Sequence, residues 1–171
     1  MRPPLLPGLL LALACGCSPR REPGPLVIHE EEPIAPLVST VAMGDPKLAA
    51  QLLKGWHTIE DGTWRWTERR FALALKTPAA GKPATLEMSF ALPQAVVAKL
   101  RSVTLTAKVN GAALPGQTYD QPGEHLYRRE APAAALAGEV VRVDFELDRA
   151  LPPTDADRRE LGLVVTSVGL K

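Results

Sequence analysis

The run Gly55-Trp56-His57-Thr58-Ile59-Glu60-Asp61-Gly62-Thr63-Trp64-Arg65-Trp66 holds every tryptophan of the chain, together with a histidine, two carboxylates and an arginine. Indole rings offer broad apolar faces on which a sugar ring can stack, and the charged groups beside them can hydrogen-bond its hydroxyls. Glycan binding is the chemistry this set would carry, with Trp56, Glu60 and Arg65 as the expected ligand-binding residues. The same residues suit a β-sandwich core. If Thr63 to Thr67 is a strand, Trp64 and Trp66 project from one face and Arg65 from the other, so the paired rings fit packing and stacking alike. Glu60 and Arg65 have a second role open, as a charge-assisted strut that pins the entry segment over the sandwich. Trp66 reads as core, and Trp56, placed in a loop after Gly55, as the ring left partly exposed.

Other chemistry finds little support in the residues. A serine nucleophile needs a base in reach and a strained turn such as Gly-x-Ser-x-Gly, and the chain has no such motif. His29, His57 and His125 lack the paired spacing that metal sites use, so neither a metal nor a cofactor is expected. Asp155-Ala156-Asp157 lacks the glycine and distal glutamate of a calcium loop. Glu60 and Asp61 are neighbours in sequence, which does not set them across a cleft as glycosidase chemistry requires. An enzyme is therefore not expected, and a hydrolase is the weakest of the functional readings. The formal charge of +1, from 20 basic and 19 acidic residues, has no excess with which to bind nucleic acid.

The cysteines carry a different chemistry. A single Arg2 precedes the apolar run Leu9 to Ala14, which ends in small residues and Cys15. That segment reads as a secretory leader, too short for a permanent membrane span. Its ending resembles a bacterial lipobox, with cleavage before Cys15 and acylation of that cysteine. Cys17 offers the competing register, but it would place a cysteine where a small or branched apolar residue usually sits. The expectation is a signal peptide over residues 1–14 and a protein held by lipid to a bacterial envelope membrane, facing the periplasm or the exterior. No cysteine follows position 17, so the folded part relies on packing rather than disulfides.

The elements that must position these residues follow in order. Residues 15–45 are punctuated by prolines at 19, 23, 25, 33 and 36 and read as a semi-extended tether. Asp45-Pro46 supplies a cap and first-turn proline for a two-turn helix through Lys54, closed by Gly55. Beyond it the period changes to alternation. Phe71, Leu73 and Leu75 share a strand face, as do Leu86, Met88 and Phe90, and Val103, Leu105 and Val109. Val141, Val143, Phe145 and Leu147 alternate with charged residues most cleanly, and Leu161 to Val168 reads as a central strand. Asn110-Gly111, Gln121-Pro122-Gly123 and Pro152-Pro153 mark turns, and Pro93 to Leu100 a short helix. About seven or eight short strands over residues 46–171 predict an all-β, jelly-roll-like antiparallel sandwich with one or two short helices.

Gly55-Trp56, Glu60, Trp64-Arg65-Trp66-Thr67 and the alternating Phe71-Ala72-Leu73-Ala74-Leu75 resemble the opening of a β-sandwich domain found beside bacterial membrane glycosyltransferases and in small lipoproteins. Asp157-Arg158-Arg159-Glu160-Leu161-Gly162 is similar to the Asp-x-Arg-x-Leu-Gly ending of that group, so the likeness spans Leu52 to Leu170. The resemblance implies a galactose-binding-type jelly roll with an accessory role in glycan handling. The functional expectation is a non-catalytic envelope lipoprotein whose domain binds a glycan or another envelope component. The rival is an assembly subunit whose sheet face docks a protein.

Overall fold

Apolar residues that recur at every second position bury one face of a strand, and this chain repeats the pattern until nine strands enclose one core. The computed structural model describes residues 36–79 and 82–171; the segments expected to be a leader and, up to residue 35, a tether, with Cys15 and Cys17, and Ala80-Gly81 lie outside the described residues. The strands are β1 (Thr40–Ala42), β2 (Leu52–Glu60), β3 (Trp64–Lys76), β4 (Ala84–Leu92), β5 (Val103–Val109), β6 (Ala112–Tyr119), β7 (Gly123–Ala131), β8 (Val140–Leu147) and β9 (Val164–Leu170). Helix α1 (Gln94–Leu100) bridges β4 and β5. The architecture is an all-β antiparallel sandwich.

The long strand β3 serves both halves. Arg65 and Trp66 pair with Val165 and Val164 of β9, whereas Arg70–Lys76 pair with Glu146–Val140 of β8. One layer therefore runs β2-β3-β8-β5-β6, and the other runs from the start of β3 through β9 and β4 to β7, with β1 also paired to β9. Phe71, Leu73, Leu75, Val143, Phe145 and Leu105 face inward from the first layer, and Leu86, Met88, Phe90, Tyr127, Val165 and Val168 from the second. Phe71 stacks on Phe145 with ring centroids 5.0 Å apart, and Tyr127 meets Phe145 edge-on. At the open side, Arg129 of β7 donates to the carbonyls of Pro115 (2.9 Å) and Gly116 (3.2 Å) and to Gln117 Oε1 (2.9 Å), closing β7 against β6.

The entry segment departs from the sequence expectation. Asp45 Oδ1 does cap, accepting from the Lys47 amide at 2.9 Å, but the helix is a 3-10 helix of Pro46–Gln51 that gives way to β2 at Leu52. So short a helix has little stability of its own, and pairing along β3 claims Leu52 to Gly55 instead. Trp56 accordingly lies within β2 rather than in a loop. Pairing also starts ahead of Pro46, because Thr40–Ala42 adds to β9. Gln51, only 3% exposed, fixes this corner: its Oε1 accepts from the Val38 amide (2.9 Å), and its Nε2 donates to the carbonyls of Val38 (3.1 Å) and Ala74 (2.7 Å). Each of its polar atoms is matched, as burial demands.

Candidate functional site

Directly opposed residues in an antiparallel pair project to the same side of a sheet, so the register alone reads out the exposed face of the second layer. Trp66 opposes Val164, Val164 opposes Ala91, and Ala91 opposes Glu124. The neighbouring row is Ala42, Ser167, Ser89 and Leu126, and the next is Thr40, Gly169, Glu87 and Arg128. These rows point outward, because the alternate residues Val165 and Phe90 are buried in the core. Beside Val164, the floor of this face is built from Ala42, Ala91, Ser89, Ser167 and Gly169. Its far side carries exposed Leu126 and Glu124, and an open trough of ≈ 360 Å³ lies there, lined by Ser89, Ala91, Glu124, His125, Leu126 and Thr166.

At the β3 end of the row stand Trp66 and, two residues earlier on the same face, Trp64. The rings meet edge to face, with centroids 6.3 Å apart and planes at 81°, and both are half-buried. Trp66 also packs against the buried core. Three strand spacings, about 14 Å, separate the β3 backbone from that of β7. Along the third row, Glu87 is nearly buried and pairs with Arg128 at 2.7 Å and with Lys171. The hydrogen bond from Lys171 holds the Glu87 carboxyl below its ordinary range.

The three side chains expected to bind ligand go to three different partners. Trp56 donates its indole N–H to the Ala72 carbonyl at 2.8 Å and sets its ring edge-on to Phe71, 5.0 Å between centroids. Glu60 accepts from Arg159 Nη1 at 2.6 Å, not from Arg65. Arg65 donates from Nε to the Met43 carbonyl (3.1 Å) and from Nη1 to the His57 carbonyl (2.9 Å). Arg65 thus braces the start of β3 against the segment after β1.

Arg159 reaches Asp157 as well, with Nε 3.0 Å from Oδ1 and Nη2 2.9 Å from Oδ2. Those hydrogen bonds, with the Arg159 backbone N–H, hold the Asp157 carboxyl at about 2. The Asp157–Gly162 stretch is in this way a strap that fastens the last loop to the β2–β3 hairpin, and a ring nitrogen of His57 sits 2.8 Å from the Glu160 carbonyl within it. His125 likewise engages a backbone carbonyl, that of Gln121, at 2.8 Å. Among the described residues no group of three or more His, Cys, Asp or Glu side chains is placed to hold a metal.

The outer face of the first layer has a different character. Arg70 pairs with Glu146 at 2.9 Å, and Asp144 receives Arg142 at 2.8 Å and Lys54 at 3.8 Å. Its charges are interleaved and exposed, so individual pairs add little to stability.

No family model matches the chain, and no curated protein does. Among solved structures it is similar to a family 35 carbohydrate binding module from an environmental isolate, at 14% identity and a TM-score of 0.47, covering 71% of this chain and 87% of that one. A second similar structure, described as "CBM4 structure and function", has 14% identity and a TM-score of 0.34, over 77% of this chain and 85% of the other.

Sequence reading did not single out the outward row. Val164 lies in β9 and Ala91 and Ser89 in β4, with no local motif, and only pairing brings them beside Trp64 and Trp66. The available signal was in β7, where Leu126 occupies the polar side of an alternating strand and is 47% exposed.

Proposed function

We propose that this domain is a non-catalytic binding module that holds a glycan across the outer face formed by the start of β3, β9, β4 and β7. The observation that carries the reading is the Trp64–Trp66 pair standing at the end of a row whose floor is small enough for a sugar ring to approach the sheet. Tryptophan supplies a rigid stacking surface with few rotatable bonds to immobilise, and an indole placed beside hydroxyl side chains provides the mix of apolar body and polar contact that sugar binding uses. Trp56, Glu60 and Arg65 support the site from behind, since each side chain is engaged in bracing the strands that carry the rings.

Calorimetric titration of the protein with a panel of neutral, acidic and amine-bearing oligosaccharides tests this, with indole fluorescence as a second readout. Trp64→Ala is expected to weaken the binding at least about tenfold, the effect of losing roughly 1.4 kcal/mol, while the melting temperature stays near that of the parent. Arg70→Ala, on the opposite layer, should leave affinity unchanged. Binding to no oligosaccharide would sink the glycan reading, and would move this face to the rival role of docking an envelope protein.

The same reading places the domain at a bacterial envelope membrane through acylation at Cys15, which rests on the Leu13-Ala14-Cys15 ending of the leader. Cells fed an alkyne fatty acid should label the parent protein and not Cys15→Ser. Loss of label in Cys17→Ser alone would assign the other register.

A further inference from the structure

Four large apolar side chains stand well exposed among the described residues, and three of them gather at one end of β3. Val140 opposes Lys76 across the β3–β8 pair. Leu37 directly precedes Val38, whose carbonyl accepts from the Lys76 amide at 3.0 Å. Leu53 lies between Leu52, opposite Leu73, and Lys54, opposite Ala72. Cations surround the same end. Arg142, two residues from Val140 and on the same face, is 49% exposed, Lys54 is 52% exposed, and Lys76 and Lys108 are exposed. The carboxylates nearby are Asp144, engaged by Arg142 and Lys54 and directly opposite Lys108, Glu146, engaged by Arg70, and Glu139. Counting Arg70, three acids therefore stand against five bases, and Lys76 has no ion-pair partner among the described residues.

We infer that this end of the first layer is a membrane-contacting surface that settles on anionic phospholipid headgroups. Apolar side chains ringed by lysine and arginine suit the headgroup boundary, where the first enter the acyl edge and the second meet lipid phosphates. The order of the chain argues for the same occupant, because the segment that follows Cys15 enters the domain at Leu37 and Val38. A chain acylated at Cys15 would enter the domain at this surface, where a basic patch adds an attraction to anionic lipid that acyl chains alone do not supply. The glycan face, on the other layer, would then remain open to solvent. The inference rests on the anchored reading only for what brings the surface near a membrane.

The test uses the full chain with Cys15→Ser and Cys17→Ser, so that acyl chains do not contribute. Co-sedimentation with vesicles of equal parts phosphatidylglycerol and phosphatidylcholine at low ionic strength should show binding that pure phosphatidylcholine lacks and that added salt removes. Lys76→Glu changes the local charge by two and should lower partition more than about tenfold, since each basic group near an anionic surface is worth roughly fivefold. Val140→Asp should lower it as well. Leu126→Asp, on the other layer, should not, and thermal melts establish that all three variants are folded. The inference fails if neither vesicle binds, if both bind equally, or if Leu126→Asp matches Val140→Asp. Absence of acylation at Cys15 in cells would remove the anchor and leave the vesicle result standing.

Discussion

Phe145→Ala is expected to lower the unfolding free energy by about 3–5 kcal/mol, the range for deleting a buried aromatic ring. Phe145 is 2% exposed and sits where the two layers meet. Phe71 stacks on it at 5.0 Å with planes 15° apart, and Tyr127 of the opposite layer approaches edge-on at 6.5 Å. Alanine would leave a void between rings held by strands on both sides, so the neighbours have little freedom to collapse into it. Urea denaturation gives the number directly, with an unchanged slope showing that the denatured state is the same. A change inside the ~0.5 kcal/mol scatter of surface substitutions would mean that the β3–β8 register is wrong and that this face does not form the core.

The reason Phe145 could be placed from sequence is local. Between Val141 and Leu147 every second residue is apolar and every other one is polar, and the structure buries the first set while the second carries Arg142, Asp144 and Glu146. Alternation reports burial wherever one strand face meets water. It also located Phe71, Leu86, Met88 and Leu105, and the Asn110-Gly111 turn was marked by residue type alone. The entry segment was misread because its local signals were sound and were outweighed. Asp45 and Pro46 do start a helical turn, but the length was decided by β2 pairing with β3, an interaction with residues up to Leu73.

The candidate site was legible only in part, for a related reason. The tryptophans announce themselves by type, and period two assigns Trp64 and Trp66 to one face. Which face that is depends on β3 leaving β9 for β8 between Trp66 and Arg70. Nothing in the stretch itself marks that crossover. The partners of Glu60 and Arg65 were likewise out of reach, since Arg159 lies far along the chain and the carbonyls of Met43 and His57 are backbone atoms that no side-chain pattern encodes. Sequence reading finds the residues able to do chemistry more readily than the neighbours that decide whether they are free to do it.

Gly55→Ala supplies the second large effect, and it tests the corner that sequence reading missed. Gly55 lies in β2 with φ +72°, and a Cβ built there would collide with the Arg70 carbonyl oxygen and come within 2.8 Å of Phe71 Cα. Both neighbours are backbone atoms of β3, the strand that also carries the Phe71 ring into the core, so neither can move without disturbing the β3–β8 pairing. Gly111, with φ +85° and nothing within 4 Å of its added Cβ, serves as the comparison. Alanine at Gly111 should cost only the left-handed backbone strain, about 1–2 kcal/mol. At Gly55 the same strain adds to the collision, and the expected loss is about 3–4 kcal/mol, at the upper end for a single substitution. Were Gly55 the residue that ends a helix, facing solvent, the two variants would melt alike. Thermal or urea unfolding of Gly55→Ala beside Gly111→Ala therefore decides whether β2 approaches β3 as closely as the bulged pairing at Lys54 and Trp56 requires.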